Sequence, residues 1–221
     1  MTSTKQGEDK EEHQPEAVGV YPKSAISWYN KGVNLHDLDR FEEALAAYEK
    51  AIEIYPNLIE AWINKGFVLY CLGRTKDALV ANDKAIEINP NSIGAWKNKV
   101  LDLELLGRVE EALAAYEKII EINPKDEATW HNKGLALNDL DRFEEALAAI
   151  NKAIEINPNN ESTWTSKGIS LGQLGRTEEA YAAFDKAIEI NPKDDFAPFI
   201  KGKALLNNGK YEWTRKIFGR Q

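Results

Sequence analysis

The sequence predicts an all-α protein in which helix pairs stack side by side as a solenoid. Two observations support this fold class: five of the six tryptophans and six of the eight prolines recur at a constant spacing of 34 residues. A period of this length is typical of repeat proteins, in which each unit buries its apolar face against the next unit. The recurring residues are Trp28, Trp62, Trp96, Trp130 and Trp164, and Pro22, Pro56, Pro90, Pro124, Pro158 and Pro192.

The period divides the chain into a short tail, five full units and one partial unit. The tail, residues 1–24, is acidic, has no periodic apolar face and contains Pro15 and Gly19, so we expect it to be disordered or loosely docked. The solenoid then occupies residues 25–221. Its repeats are 25–58, 59–92, 93–126, 127–160 and 161–194, followed by the partial repeat 195–221.

Each unit is predicted to contain two helices. In the first unit the apolar spacing predicts helices over 25–38 and 42–54. The turn between them carries Asp39, and the equivalent residue in three later units is Gly, the residue types that best adopt the left-handed backbone conformation after a helix. Proline then ends the second helix, because it has no amide hydrogen to donate. Small residues such as Gly32 and Ala44 allow the two helices to approach closely.

The order of residue types within a unit resembles the tetratricopeptide repeat (TPR) family. The pattern recurs almost intact four more times, although Asn82 replaces the aromatic residue of the second unit and Val100 replaces the Gly of the third. The resemblance implies a right-handed superhelix whose concave surface is lined by the first helix of each unit. In the first unit the residues that carry it are Trp28, Gly32, Leu35, Ala44, Tyr48, Ala51 and Pro56.

Lysines and glutamates also recur with the repeat. Lys31, Lys65 and their equivalents fill a position where the family usually has Leu, and Glu53 recurs with the same period. Because the chain folds back at each proline turn, we expect pairs between units, with Glu53 beside Lys65. The alternative is that the lysines and the glutamates form two independent solvated faces.

Composition excludes several classes of protein. The net charge is −8, which disfavours binding to nucleic acid or to anionic lipid. The chain has one cysteine, no apolar run of the roughly 18 residues that a membrane helix needs, and no apolar secretion signal at its start. We therefore expect a cytoplasmic protein with no nucleic-acid or membrane partner.

No catalytic constellation is evident. His13, His36 and His131 are far apart in the repeat order, Cys71 has no histidine in its own unit, and glycines occur singly rather than in a phosphate-binding loop. The sequence therefore predicts a protein that is not an enzyme and that has no cofactor or metal.

A column of asparagines marks the first helices of four successive units. An asparagine side chain has both a donor and an acceptor, so such a column could bind the backbone of an extended peptide. The same position forms an asparagine ladder in the TPR region of the transferases that attach N-acetylglucosamine to Ser and Thr, and the resemblance implies peptide contact here. The alternative is that asparagine at this position only suits helix packing. The column is Asn30, Asn64, Asn98 and Asn132.

Around this column the predicted groove is mostly apolar and aromatic. Such a lining suits an amphipathic helix or an extended apolar segment. Of the five residues with which chaperone-binding relatives clamp a terminal carboxylate, only Asn64 is matched, so the resemblance does not imply a chaperone receptor. The groove residues are Tyr29, Val33, Ile63, Phe67, Tyr70, Lys97, Leu101, His131, Leu135 and Ile169, with Glu104 and Asp139 among them.

The sequence thus predicts a scaffold that binds another protein or peptide in its concave groove. The alternative function is self-assembly into a homo-oligomer, in which the open C-terminal end stacks on a second copy. Trp213 and Ile217, four residues apart on the last predicted helix, are the candidate contacts for that role. The interpretation that we favour for these two residues is that they pack on the fifth unit as a local cap.

Overall fold

The structure, a computed structural model, describes residues 22–193 and 195–207, with side chains as far as Lys203. Within these ranges the chain forms eleven α-helices and no strand. The helices are α1 (Lys23–His36), α2 (Phe41–Ile54), α3 (Ile59–Cys71), α4 (Thr75–Ile88), α5 (Ile93–Leu105), α6 (Val109–Ile122), α7 (Glu127–Asp139), α8 (Phe143–Ile156), α9 (Glu161–Gln173), α10 (Thr177–Ile190) and α11 (Phe196–Asn207).

The helices stack in chain order. Each odd-numbered helix packs against the helix that follows it, and each even-numbered helix packs against the first helix of the next unit. The first helices also contact one another, α1 with α3, α3 with α5, and α7 with α9. Because first helices meet in this way, the row of units is most closely packed on the side that they line.

The first pair of helices begins and ends slightly differently from the prediction. The first helix, α1, starts at Lys23, directly after Pro22, rather than at the predicted residue 25. It ends at His36 because the chain reverses at Asp39, where φ is 56°, and the Arg40 amide donates to the Leu35 carbonyl at 2.9 Å. The left-handed turn residue is confirmed at the equivalent positions of the described units, which are Gly73, Gly107, Asp141 and Gly175.

Small residues set the distance between the two helices of a unit. A Cβ added to Gly32 would lie 2.5 Å from Tyr48 Cε1, and one added to Gly134 would lie 2.5 Å from Ile150 Cγ1. Tyr48 and Ile150 are themselves fully buried. The glycine therefore provides the space that the large side chain of the second helix occupies.

The tryptophans and prolines recur together because they form one contact. Trp62 Nε1 donates to the carbonyl oxygen of Pro56 at 2.7 Å, and Trp96 makes the same bond to Pro90 at 2.8 Å. Trp130 and Trp164 repeat it with the prolines before them. Each bond fastens a first helix to the turn that precedes it.

The recurring lysines pair with acidic residues at a different position of the repeat from the one predicted. Lys65 Nζ lies 2.9 Å from Glu49 Oε1, whereas Glu53 pairs with Lys50 on its own helix. The predicted Glu53–Lys65 pair was wrong because Glu49 lies one turn earlier on α2, on the side that meets the next unit. The same pairing between units is made by Lys99 with Asp83, Lys133 with Glu117, and Lys201 with Asp185.

The last described helix, α11, packs against α10. Trp213 and Ile217, the predicted self-association contacts, lie outside the described residues.

Candidate functional site

The predicted groove residues lie on α1, α3, α5, α7 and α9, the first helices of their units. We call their common surface the groove. Its side chains are exposed or partly exposed: Leu101 is 41% exposed and Leu135 is 39% exposed. The partly buried members are Tyr29, Val33, Ile63, Phe67, Tyr70, His131 and Ile169.

Hydrogen bonds between neighbouring units connect the groove. Asn64 Nδ2 donates to Tyr29 Oη at 3.3 Å, and Asn98 Nδ2 donates to the Ile63 carbonyl oxygen at 3.2 Å. Two of the four column asparagines therefore use their amide donors to join successive first helices. Asn30 and Asn132, in contrast, are exposed.

The first half of the groove is apolar. The His36 and Phe67 rings meet edge to face with centroids 5.3 Å apart, which links α1 to α3. Leu101 continues this surface onto α5, and Leu105, which was not among the predicted residues, is 60% exposed one turn further on. Sequence could have indicated Leu105, because it lies four residues after the predicted groove residue Leu101 on the same helix.

The second half of the groove, on α7 and α9, has polar side chains next to Leu135 and Ile169. The Ser166 hydroxyl donates to the Ser162 carbonyl oxygen, so it accepts from His131 Nε2, 2.9 Å away. Ser170 donates to Asn138 Oδ1 at 2.9 Å. Burial lowers the pKa of His131, so the imidazole is neutral at neutral pH. Ser166 occupies the position of the asparagine column in the fifth unit, whereas Ser170 occupies the position equivalent to Val68, so the asparagine pattern did not indicate either serine.

Charges near the groove are paired within the protein. Lys97 Nζ lies 2.8 Å from Asp126 Oδ2, which also accepts from the Thr129 hydroxyl. Burial would raise the pKa of Asp126, but the bonds from Lys97 and Thr129 outweigh burial and lower it. Glu104 accepts a bond from the Tyr116 hydroxyl at 2.8 Å. Of the charged groove side chains, Lys97 is therefore ion-paired and Glu104 is hydrogen-bonded, while Asp139 is exposed.

A cleft of about 500 Å³ lies elsewhere, between the third and fourth units. Its lining includes Leu113, Trp130 and Leu137. Arg142 reaches Glu110 at 3.1 Å on the rim, and a Lys133–Glu117 pair lies beside it. These ion pairs join the two units across the cleft.

Among the residues that the structure describes, no group of three or more His, Cys, Asp or Glu side chains is placed to hold a metal ion. None of the described helices is long and apolar enough to cross a membrane.

Stacked helix pairs with an exposed apolar groove define the class of repeat scaffold proteins. The family model for the tetratricopeptide repeat matches four stretches of the chain, and together these cover more than half of it: residues 25–58, 59–92, 128–160 and 162–194. The chain therefore belongs to the TPR family, and the predicted fold is confirmed. A model for the protein prenyltransferase alpha subunit repeat matches residues 109–140, which span α6 and α7.

Solved structures agree with this assignment. The chain is 22% identical to a MamA protein, with a TM-score of 0.72, over 77% of this chain and 93% of that one. MamA from Desulfovibrio magneticus RS-1, from residue 41 onward, is also 22% identical, with a TM-score of 0.72 and coverage of 79% and 98%. YrrB, described as a TPR protein with an unusual peptide-binding site, is 25% identical, with a TM-score of 0.70 and coverage of 80% and 91%. No curated protein matches the chain.

Membership of this family supports a general role as a protein-interaction scaffold, a class that is generally non-catalytic.

Proposed function

We propose that this protein is a non-catalytic cytoplasmic scaffold that binds an apolar segment of a partner polypeptide in the groove. The observation that carries this proposal is a set of exposed leucines on two neighbouring first helices, Leu101 and Leu105 on α5 and Leu135 on α7. Exposed apolar side chains that adjoin one another are a common feature of protein-binding surfaces.

Specificity for an apolar partner follows from the surrounding charges. Lys97 is already paired with Asp126, and the Glu104 carboxylate already accepts a hydrogen bond from the Tyr116 hydroxyl. A charged segment would gain little there and would lose hydration on entering the groove. An apolar segment would instead cover the leucines and the half-buried aromatic side chains of α1 and α3.

The asparagine column has a divided role in this proposal. Asn64 and Asn98 donate within the solenoid, so they support the shape of the groove. Asn30 and Asn132 are exposed and are the members proposed to contact the partner backbone. A peptide-binding role is also consistent with the description of YrrB, which matches most of this chain.

The proposal is tested with a displayed library of random 12-residue peptides selected on the full chain. We expect the selected peptides to be rich in Leu, Ile and Phe and poor in charge. The double variant Leu101→Asp with Leu135→Asp should weaken their binding at least about tenfold, because each leucine contributes roughly 1.5 to 3 kcal/mol when it is buried.

Val80→Asp is the matched control, because Val80 is 60% exposed but lies on the second helix α4. It should change the dissociation constant less than about twofold. Equal binding by the double variant and by Val80→Asp would contradict the proposal.

The alternative function, self-assembly, predicts a different result. If Trp213 and Ile217 join two copies, light scattering will show a mass that rises with concentration and that returns to the monomer value in Trp213→Ala with Ile217→Ala. A constant monomer mass would exclude this alternative.

A further inference from the structure

The contact between the second and third units contains a buried polar pair. Asn82 on α4 is 0% exposed and Asp102 on α5 is 1% exposed. Asn82 Nδ2 donates to Asp102 Oδ2 at 2.7 Å. Among the described residues Asp102 is the one buried carboxyl group, and it forms no ion pair there.

This pair replaces apolar partners found at the equivalent contact of the first two units. Residue 82 corresponds to Tyr48 and residue 102 corresponds to Val68, both buried in one apolar cluster. Gly66 leaves room for Asn82 as Gly32 does for Tyr48, since a Cβ on Gly66 would lie 2.5 Å from Asn82 Oδ1. Both partners are therefore changed together, within an otherwise conventional helix contact.

When Asp102 is ionised, the pair contains two buried oxygen atoms that no hydrogen-bond donor reaches. Asn82 Oδ1 and Asp102 Oδ1 are both buried and neither accepts a hydrogen bond. Two acceptors cannot bond to each other, so this arrangement is costly while Asp102 is charged. A proton on Asp102 Oδ1 would supply the missing donor, because a carboxylic acid and an amide have complementary edges.

The surroundings of Asp102 also favour its neutral form. Burial, with a smaller effect from the charge of Asp83, raises its pKa to about 6 against the opposing bond from Asn82. Asp83 on α4 is itself paired with Lys99 of α5 at 2.6 Å. On α6 the Tyr116 hydroxyl is bonded to Glu104 and Lys118 is paired with Glu121. On α3 Lys65 is paired with Glu49, so neither lysine is a free cation for Asp102.

We propose that the Asn82–Asp102 pair forms a joint between the second and third units, meaning a contact whose strength depends on the protonation of Asp102. When Asp102 is protonated, the acid and the amide form a two-bond pair and α4 is held firmly against α5. When Asp102 is ionised, a buried carboxylate faces the Asn82 carbonyl oxygen, and the contact between these helices loosens.

The direction of the effect follows from proton binding. An acid whose pKa is raised in the folded state binds more protons when folded than when unfolded, between its ordinary value of 3.8 and about 6. The stability that Asp102 provides at this joint is therefore greatest on the acid side of that window. It falls as the pH rises through the window and is constant above it.

The first test is a carbon-13 NMR titration of the side-chain carboxyl groups in the full chain. The Asp102 carboxyl resonance is identified as the one that is absent from the spectrum of Asp102→Asn. We expect Asp102 to titrate near pH 6, and a midpoint below about 4.5 would overturn the proposal. This measurement uses the unaltered protein, so it remains decisive if a variant fails to fold.

The second test is amide hydrogen exchange at pH 5 and at pH 7.5, expressed as protection factors. Protection in α4 and α5 should fall by roughly tenfold relative to α9 and α10 at the higher pH. In Asp102→Asn, which keeps the shape but cannot ionise, this relative loss should disappear. Asp83→Asn, which alters a neighbouring charge, should retain most of it.

Equal relative losses in the unaltered protein and in Asp102→Asn would overturn the proposal. The double variant Asn82→Tyr with Asp102→Val carries the residues of the preceding contact, and it should also show no relative loss between these pH values. None of these measurements involves a partner, so failure of the proposed groove function would leave their outcome unchanged.

Discussion

Two glycines on α9, one turn apart, show how a single residue type serves two roles. A Cβ on Gly168 would lie 2.5 Å from Phe184 Cε1, whereas a Cβ on Gly172 would meet nothing within 4 Å. Gly168 is therefore required by the close approach of α9 to α10. Gly172 is an exposed helical glycine with no such contact.

Alanine substitution should have opposite effects at these two positions. Gly168→Ala should lower the free energy of unfolding by about 1 to 3 kcal/mol, because the ring of Phe184 must move. Gly172→Ala should raise it by a few tenths to about 1 kcal/mol, because alanine favours the helix. Urea denaturation measures both changes, and a similar loss in both variants would show that the close approach is not the cause.

Single positions also show the limit of prediction from sequence. Asn82 is recognisable as a departure, because it occupies an aromatic position of the repeat. Its partner Asp102 lies 20 residues away, at a position of the repeat whose residue type varies. Only the packing of α4 on α5 brings the two side chains together.

Helices of neighbouring units are joined by a contact that combines three residues. Lys65 Nζ lies 5.5 Å from the centroid of the Trp62 ring and pairs with Glu49 of the preceding helix. The lysine stem thus lies along the tryptophan while its charge meets the acid. Lys167 keeps the ring contact with Trp164, but Asn151 occupies the position equivalent to Glu49.

Restoring the acid should strengthen the contact between the fourth and fifth units. Burial lowers the pKa of Lys167, and Asn151→Glu would supply the opposite charge that its equivalents have. We expect a gain of up to about 1 kcal/mol in the free energy of unfolding. The gain should vanish in a Lys167→Met background, and a gain that persists there would show that no pair had formed.

Across the whole molecule, stability is the sum of units and of the contacts between neighbours. Deleting one complete unit keeps the remaining units in register, but it brings two units together that are not neighbours in the full chain. Removal of residues 93–126 would place Asn82 opposite Ala136, whereas removal of residues 127–160 would place Tyr116 opposite Ser170. The two deletions have equal length but different consequences.

The first deletion should be the more harmful by about 1 to 3 kcal/mol, since it leaves the Asn82 amide buried without Asp102. The second serves as the matched control, because it removes the same number of residues and leaves the Asn82–Asp102 pair in place. Urea denaturation of both shortened chains gives the comparison. Equal stabilities would indicate that the polar pair contributes nothing to the contact.

The sequence alone determined the fold and the left-handed turns. These features are local and occur in almost every unit, so spacing and residue type reveal them. The groove position followed from the family resemblance, because the same helix lines it in each unit.

Tertiary structure decided which residues meet across units. The acid that pairs with Lys65 is Glu49 rather than Glu53, and two column asparagines bond within the solenoid. Such contacts depend on the rotation of each helix about its axis and on the offset between neighbouring units. If the rotation or the offset changes enough to move a residue by one helical turn, a side chain meets a different partner, although the 34-residue period of the sequence is unchanged.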